Sequence, residues 1–357
     1  MHDNKQRSNR IDYIRCMALL MVLLGHTLTG STDQSESSFA FRLIWSLQMP
    51  LFFLISGYVT RFSRKIDSFP VLVIRIVRRT FQLLWPFAIW TFLIRGVLFG
   101  QTQVLQIKWL VYHMDSAYWF LFSLWVISLE HLCAEYLTCV FLLNKRICGY
   151  ILFFGLIMAL LVTIMILMGR DFLGGKLTLY YSAFYLIGAM PGIDNIIASL
   201  SFRTVRQYTV LGIIIWGAIL WNYDFYSSPD TLSFIVFRFA SSLIGCASIF
   251  GLFEVVGQWH ISLIPVRRVL LWIGRHTLEI YLVHYFYLNL ITATPRPNHT
   301  SLLGLCVVSL NFFITLLLSS LTTAVLSITK FSRLFFFGKE TKKVLSHGQN
   351  DTADFHL

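Results

Sequence analysis

Few residues in this chain can do chemistry, and most of them sit inside apolar runs. Asp12, Arg15 and His26 fall in the first such run. Placed on a helix, Arg15 and His26 are eleven residues apart, which returns them to one face within ~20° and separates them by ~16 Å along the axis. Asp12 falls within about 60° of both. The run therefore carries a polar stripe. One outcome is an Asp12–Arg15 ion pair at one end, with His26 packed inert between helices. The other is a base at His26, because an ordinary imidazole titrates near neutral pH. Spacing alone leaves both open.

A second group is Arg75, Arg78 and Arg79, preceded by Arg61, Arg64 and Lys65. The three arginines lie one turn apart on a helix leading into an apolar run. They suit a multiply phosphorylated ligand, or they anchor the helix by charge alone. A third group runs from Gly274 to His284. In it Arg275 and Glu279 have the spacing of a helical ion pair, and Thr277, Tyr281 and His284 share a stripe. Glu130, Glu135, Arg238 and Glu254 read as helix-packing partners. In Gln48-Met49-Pro50, the proline removes a backbone donor and kinks its helix, while Ser56 and Gly57 allow close helix approach.

These residues need helices to hold them. Of 357 residues, 56% are hydrophobic, 16% aromatic and only 13% charged, against about 25% charged in a soluble domain. Apolar runs of about 18 or more residues recur along the chain, each long enough to cross ~30 Å of hydrocarbon. The sequence therefore predicts an all-α integral membrane protein of about ten transmembrane helices. The predicted spans are Ile11–Thr29, Leu43–Val59, Thr80–Phe99, Tyr118–Leu137, Ile147–Met168, Leu177–Pro191, Tyr208–Trp221, Leu232–Val256, Val269–Ile291 and Leu302–Ile328. The first is a permanent span rather than a cleaved signal, since it contains Asp12, Arg15 and His26 and no A-x-A site follows.

With the N-terminus inside, inner segments hold 20 Lys and Arg and outer segments hold 5: Arg42, Lys108, Arg170, Lys176 and Arg296. That asymmetry predicts both termini in the cytoplasm. It also accounts for the net charge of +12 without nucleic acid, which is excluded as a partner. The six scattered cysteines form no CxxC and read as small buried hydrophobes. The domain division expected is a membrane body over 1–329 and a basic, then polar, cytoplasmic tail over 330–357, too short to fold alone and mobile.

Taken together, these segments resemble the acyltransferase family 3 membrane proteins, which include bacterial O-antigen and enterobacterial-common-antigen acetyltransferases. The resemblance rests on Arg15, at the end of Arg10-Ile11-Asp12-Tyr13-Ile14-Arg15, followed after ten residues by His26, on Met49-Pro50-Leu51-Phe52-Phe53 with Ser56-Gly57-Tyr58, on the Arg75/Arg78/Arg79 group leading to Pro86, and on Gly274 through His284. Tyr118-Trp119-Phe120-Leu121 is a looser echo. It covers Arg10 to about Ile328. Many members carry a histidine just before Met-Pro, where this chain has Gln48.

The resemblance implies transfer of an acyl group, usually acetyl, from cytoplasmic acyl-CoA to a sugar hydroxyl of a cell-surface polysaccharide or its lipid-linked precursor, as in lipopolysaccharide biosynthesis. It places the protein in the bacterial inner membrane, among membrane lipids. His26, with Arg15 and Asp12, would form the catalytic group. Arg75, Arg78 and Arg79 would hold acetyl-CoA. Ser56, Gly57, Trp119, Glu279, Tyr281 and His284 would shape the site. No metal is implied. The rival classes are a transporter or flippase of a glycan or lipid intermediate, which usually shows an internal repeat, and a succinyl- or N-acyltransferase of the same family.

Overall fold

The computed structural model describes residues 9–114, 118–141, 146–169, 172–190, 200–224, 231–256 and 264–339. Helices account for nearly all of its regular structure. The main ones are α1 (Asn9–Ser31), α2 (Phe39–Thr60), α3 (Phe69–Leu98), α4 (Trp119–Phe141), α5 (Arg146–Met168), α6 (Gly175–Ala189), α7 (Phe202–Asn222), α8 (Leu232–Val256), α9 (Ile264–Arg275), α10 (Thr277–Val283), α11 (Leu302–Leu326) and α12 (Lys330–Phe337). Among the described residues eight helices are long and apolar enough to cross a membrane: α1 to α5, α7, α8 and α11.

Eight of the ten expected spans are among them, and the other two take a different form. Of span six the described residues show the 15-residue helix α6, and its predicted end, Pro191, lies outside them. Span nine is not one helix. It breaks at His276 between α9 and α10, and after Val283 only a single turn, His284–Phe286, follows. Span three starts earlier than predicted, so Arg75, Arg78 and Arg79 belong to the same continuous helix as Pro86. Pro86 cannot donate to the preceding turn, and α3 widens to π-helical pitch over Thr80–Leu84 and again over Ile89–Leu98.

The described chain forms two compact units, neither continuous in sequence. Among the described residues the first comprises those of 9–56 and 200–323, the second those of 57–190 and 324–339. In the first, α1 packs along α9 and also meets α8 and α10, while α7 lies along α8. The most buried spans are here. About two thirds of α1 (67%) and α2 (72%) is covered, against 6% of α5, which buries only a narrow face including Tyr150 and Phe154. Leu28, Phe41, Ile44 and Val308 form a buried cluster between α1, α2 and α11.

In the second unit α4 packs on α3, α5 and α6, with Ile66, Leu72 and Leu132 buried together. The segment expected as a mobile tail begins differently. α12 is a helix packed on α3, where Trp85 Nε1 donates to the Phe335 carbonyl at 2.9 Å and Trp90 Nε1 to the Phe336 carbonyl at 2.8 Å. Phe337 is fully buried. The remainder, 340–357, lies outside the described residues. Of the cysteines, only Cys16 and Cys246 are buried; Cys148 and Cys306 are exposed on outward faces.

Candidate functional site

In the first unit, α1 is drawn tightly against α9. A Cβ on Gly274 would meet the Asp12 carbonyl oxygen at 2.0 Å, so only glycine lets the two backbones touch. At that crossing Arg275 Nε donates to Asp12 Oδ2 at 3.0 Å, with Asp12 buried. This corrects the Arg275–Glu279 pair expected from spacing. The helix breaks at His276, so the two side chains no longer follow one helical face. Glu279 is instead fully buried on α10, which packs against α1, and Thr277 and Tyr281 are buried beside it. Arg15 is buried one turn along from Asp12. Glu254 on α8 forms an ion pair with Arg10, which matches its expected packing role.

His26, three turns further along α1, is half-buried. Its ring lies 5.4 Å from that of His284 and 5.3 Å from that of Tyr285, with Trp45 of α2 edge-on at 6.5 Å. The Tyr285 hydroxyl is 3.5 Å from His26 Nε2, at the outer limit of a hydrogen bond. His284 is fully buried, and its Nδ1 bonds the Tyr281 carbonyl. Gln48 is buried against Gly25, the residue before His26. The fold therefore brings together His26 and His284, both legible in the sequence, and adds Tyr285, which is not.

A further side chain that no sequence pattern marks makes this arrangement possible. After the His284–Phe286 turn the backbone leaves helical geometry, and its polar groups need partners. Asn311, fully buried on α11, supplies them. Its Oδ1 accepts from the Ile291 N–H at 2.9 Å, and its Nδ2 donates both to the Ile291 carbonyl and to Ser31 Oγ, each at 2.9 Å. Ser31 donates onward to Asn289 Oδ1 at 2.7 Å. Thr315, one turn along α11, donates to the Tyr287 carbonyl at 2.7 Å. One amide thus ties the end of α1 to the segment that follows His284. The available signal is a lone asparagine in an otherwise apolar run.

In the second unit, Arg75, Arg78 and Arg79 lie on one face near the start of α3. Arg78 is exposed, and Arg75 and Arg79 are half-buried. Arg75 donates to the Arg64 backbone carbonyl. Arg79 lies within electrostatic reach of Tyr185, and both Arg75 and Arg79 act on His131. His131, which sequence reasoning does not single out, bonds Tyr150 through Nδ1 at 2.8 Å and faces Glu135 at 3.6 Å. Trp119 is half-buried and stacked on Tyr181 at 5.3 Å.

Ser56 and Gly57 are packing residues here. The Ser56 hydroxyl donates to the Phe52 carbonyl of its own helix at 2.7 Å. A Cβ on Gly57 would meet the Tyr185 carbonyl at 2.0 Å. Among the described residues no group of three or more His, Cys, Asp or Glu is placed to hold a metal ion.

No curated protein and no solved structure matches the chain. A family model for the acyltransferase domain, that of acyltransferase family 3, matches residues 8–328. The match takes in α1 to α11, and this multi-pass membrane protein belongs to that family.

Proposed function

We propose that the protein transfers an acyl group, acetyl in the first instance, from acyl-CoA to a sugar hydroxyl of a cell-surface polysaccharide or its lipid-linked precursor. The observation that carries this reading is His26. It is the half-buried imidazole of a cluster in the first unit, held between Trp45, His284 and Tyr285. In the direct route His26 takes the proton of the acceptor hydroxyl, whose oxygen attacks the thioester carbonyl. The C–S bond breaks, and the coenzyme leaves as a thiolate that recovers the proton from His26. In the ping-pong route a His26 ring nitrogen attacks the thioester carbonyl and expels the coenzyme thiolate. The acceptor hydroxyl then attacks the acyl-imidazole, frees the ring and gives up its proton, which ends on the thiolate. The Asp12–Arg275 pair and buried Arg15 fix the helix that carries His26.

The donor's phosphates are assigned to Arg75, Arg78 and Arg79, since guanidinium forks match phosphate oxygens. The exposure of Arg78 and the shared face support this. The reading places the protein in the inner membrane of a bacterium, with the coenzyme supplied from the cytoplasm.

The test is transfer of labelled acetyl from acetyl-CoA, by protein in nanodiscs, to a panel of glycans and lipid-linked glycans. Succinyl-CoA and amine acceptors in the same panel cover the sister activities. Labelled product with wild type and none with His26→Ala supports the reading. Glycan movement across vesicles without acyl transfer would replace it with a flippase.

For the donor, Arg75→Ala and Arg78→Ala are expected to weaken acetyl-CoA binding about tenfold or more at fixed ionic strength. Arg64→Ala and Lys65→Ala are the controls, both being exposed. Arg61 is a poorer control because its guanidinium packs on the Tyr58 ring at 5.2 Å. Unchanged affinity in both test variants removes the donor assignment.

A further inference from the structure

His284 is chemically specified in a way that the proposed reaction does not by itself require. Its Nδ1 faces the Tyr281 backbone carbonyl. A carbonyl oxygen only accepts, so Nδ1 carries the hydrogen. In the neutral ring Nε2 is then a bare acceptor. That atom is sealed from solvent and has no hydrogen-bond partner among the described residues. A buried acceptor without a donor is costly, and its presence marks a place where a donor arrives during function.

The geometry identifies the donor. The neighbouring ring is His26, 5.4 Å away and tilted by 31°, with no hydrogen bond joining the two in this arrangement. A sugar cannot reach the sealed Nε2, whereas half-buried His26 can turn about χ2 and present an N–H to it. When His26 takes a proton from the acceptor hydroxyl, both its ring nitrogens carry hydrogens. One of them then has the lone pair of His284 as its partner.

We infer that His284 is a positioning residue for His26: the Tyr281 carbonyl fixes its tautomer, and its Nε2 accepts the His26 N–H and steadies the imidazolium formed during transfer. This is the logic of a base oriented by a third group, built here from a backbone carbonyl and a second imidazole. Asn311 and Ser31 hold the two sides of the arrangement together, since one fixes the backbone after His284 and the other ends α1. The inference rests on His26 being the base of the proposed reaction.

The experiment uses the full chain in nanodiscs and two substitutions. His284→Phe keeps the ring's shape and removes the acceptor. His284→Gln returns an amide oxygen near the position of Nε2. Expected for His284→Phe is a kcat lower by about tenfold or more with KM for acetyl-CoA unchanged, and for His284→Gln a partial recovery of kcat. A second readout needs no acyl donor: the rate at which diethyl pyrocarbonate modifies His26, followed by the mass of its peptide. An acceptor on one ring nitrogen makes the other more nucleophilic, so His284→Phe is expected to slow that modification and His284→Gln to restore it.

Wild-type kcat in a folded His284→Phe protein, or equal loss in both variants with unchanged His26 reactivity, overturns the inference. A wild type that transfers no acyl group, but whose His26 reactivity still responds to His284, overturns the acyltransfer reading and leaves the pairing in place.

Discussion

At the scale of single residues, His26 and Asn311 carry opposite kinds of prediction. His26 makes one long hydrogen bond, at 3.5 Å, so its removal costs little structure. His26→Ala is expected to abolish transfer while the protein inserts and folds as before, and His26→Gln to fail likewise, because an amide can hydrogen-bond but cannot take the proton. Size-exclusion profile and thermal unfolding in detergent check the fold, and labelled-acetyl transfer checks the chemistry. An active, properly inserted His26→Ala protein would end the base assignment.

Asn311 is the reverse. Asn311→Leu strips partners from the Ile291 N–H and carbonyl and from Ser31. A fully buried polar group left unpaired costs about 1–3 kcal/mol; the part-buried Ile291 groups, and Ser31 with its remaining bond to Asn289, lose less than that each. The expected result is a lower unfolding temperature together with lower activity, since the segment after His284 loses its anchor. A variant with wild-type unfolding temperature and wild-type kcat would show that the amide holds nothing.

At the scale of helices, the close approaches at glycine decide which faces meet. Gly274→Ala drives a methyl into the Asp12 carbonyl and prises α9 from α1, so the Asp12–Arg275 pair is lost with it. Gly155 on α5 is the opposite case, since a methyl added there would meet nothing within 4 Å. There alanine is expected to be neutral or to stabilise by about 0.5–1 kcal/mol, through helix propensity. Thermal unfolding of the two variants side by side is the check. Similar behaviour of both would mean that α9 and α1 do not touch as described.

Helices are also where the sequence is most and least readable. α1, α2, α5, α8 and α11 are long, mostly apolar helices, and each lies close to its predicted place. Span nine looks equally continuous because Val269–Ile291 contains no proline, and its one glycine, Gly274, precedes the break at His276. The backbone past Phe286 is satisfied by Asn311 and Thr315, residues of another helix, and no local pattern announces that. α12 escapes prediction for a related reason. Lys330 and Arg333 make it look like a solvated tail, yet the aromatic half of the same segment finds Trp85 and Trp90, about 250 residues earlier in the chain. The candidate site divides the same way. His26 and His284 are visible as ionisable groups in apolar runs, whereas Tyr285 is hidden among ordinary aromatics.

For the whole molecule, the charge asymmetry of 20 inner against 5 outer Lys and Arg predicts cytoplasmic termini. The loop between α1 and α2 then faces the other side. Ser37 in that loop is exposed. In a cysteine-free background, Ser37→Cys is expected to react with a membrane-impermeant maleimide added to intact spheroplasts, and a cysteine appended after Leu357 to react only after lysis. The reverse pattern would overturn the orientation, and with it the cytoplasmic placing of Arg75, Arg78 and Arg79.

Because each unit is assembled from distant stretches of chain, the order of synthesis has a consequence for quality control in the cell. Asp12 enters the bilayer at the very start, and its partner Arg275 is made 263 residues later. Until then the Asp12–Arg275 pair cannot form, and the end of α1 waits for Asn311 later still. Nascent chains cut short before α9 therefore lack both ties that hold α1 to later helices, and incompletely packed spans are what membrane proteases and chaperones act on. Premature stop codons anywhere between α2 and α11 are expected to yield no residual protein on an immunoblot of the membranes, even those that leave six or more complete spans behind.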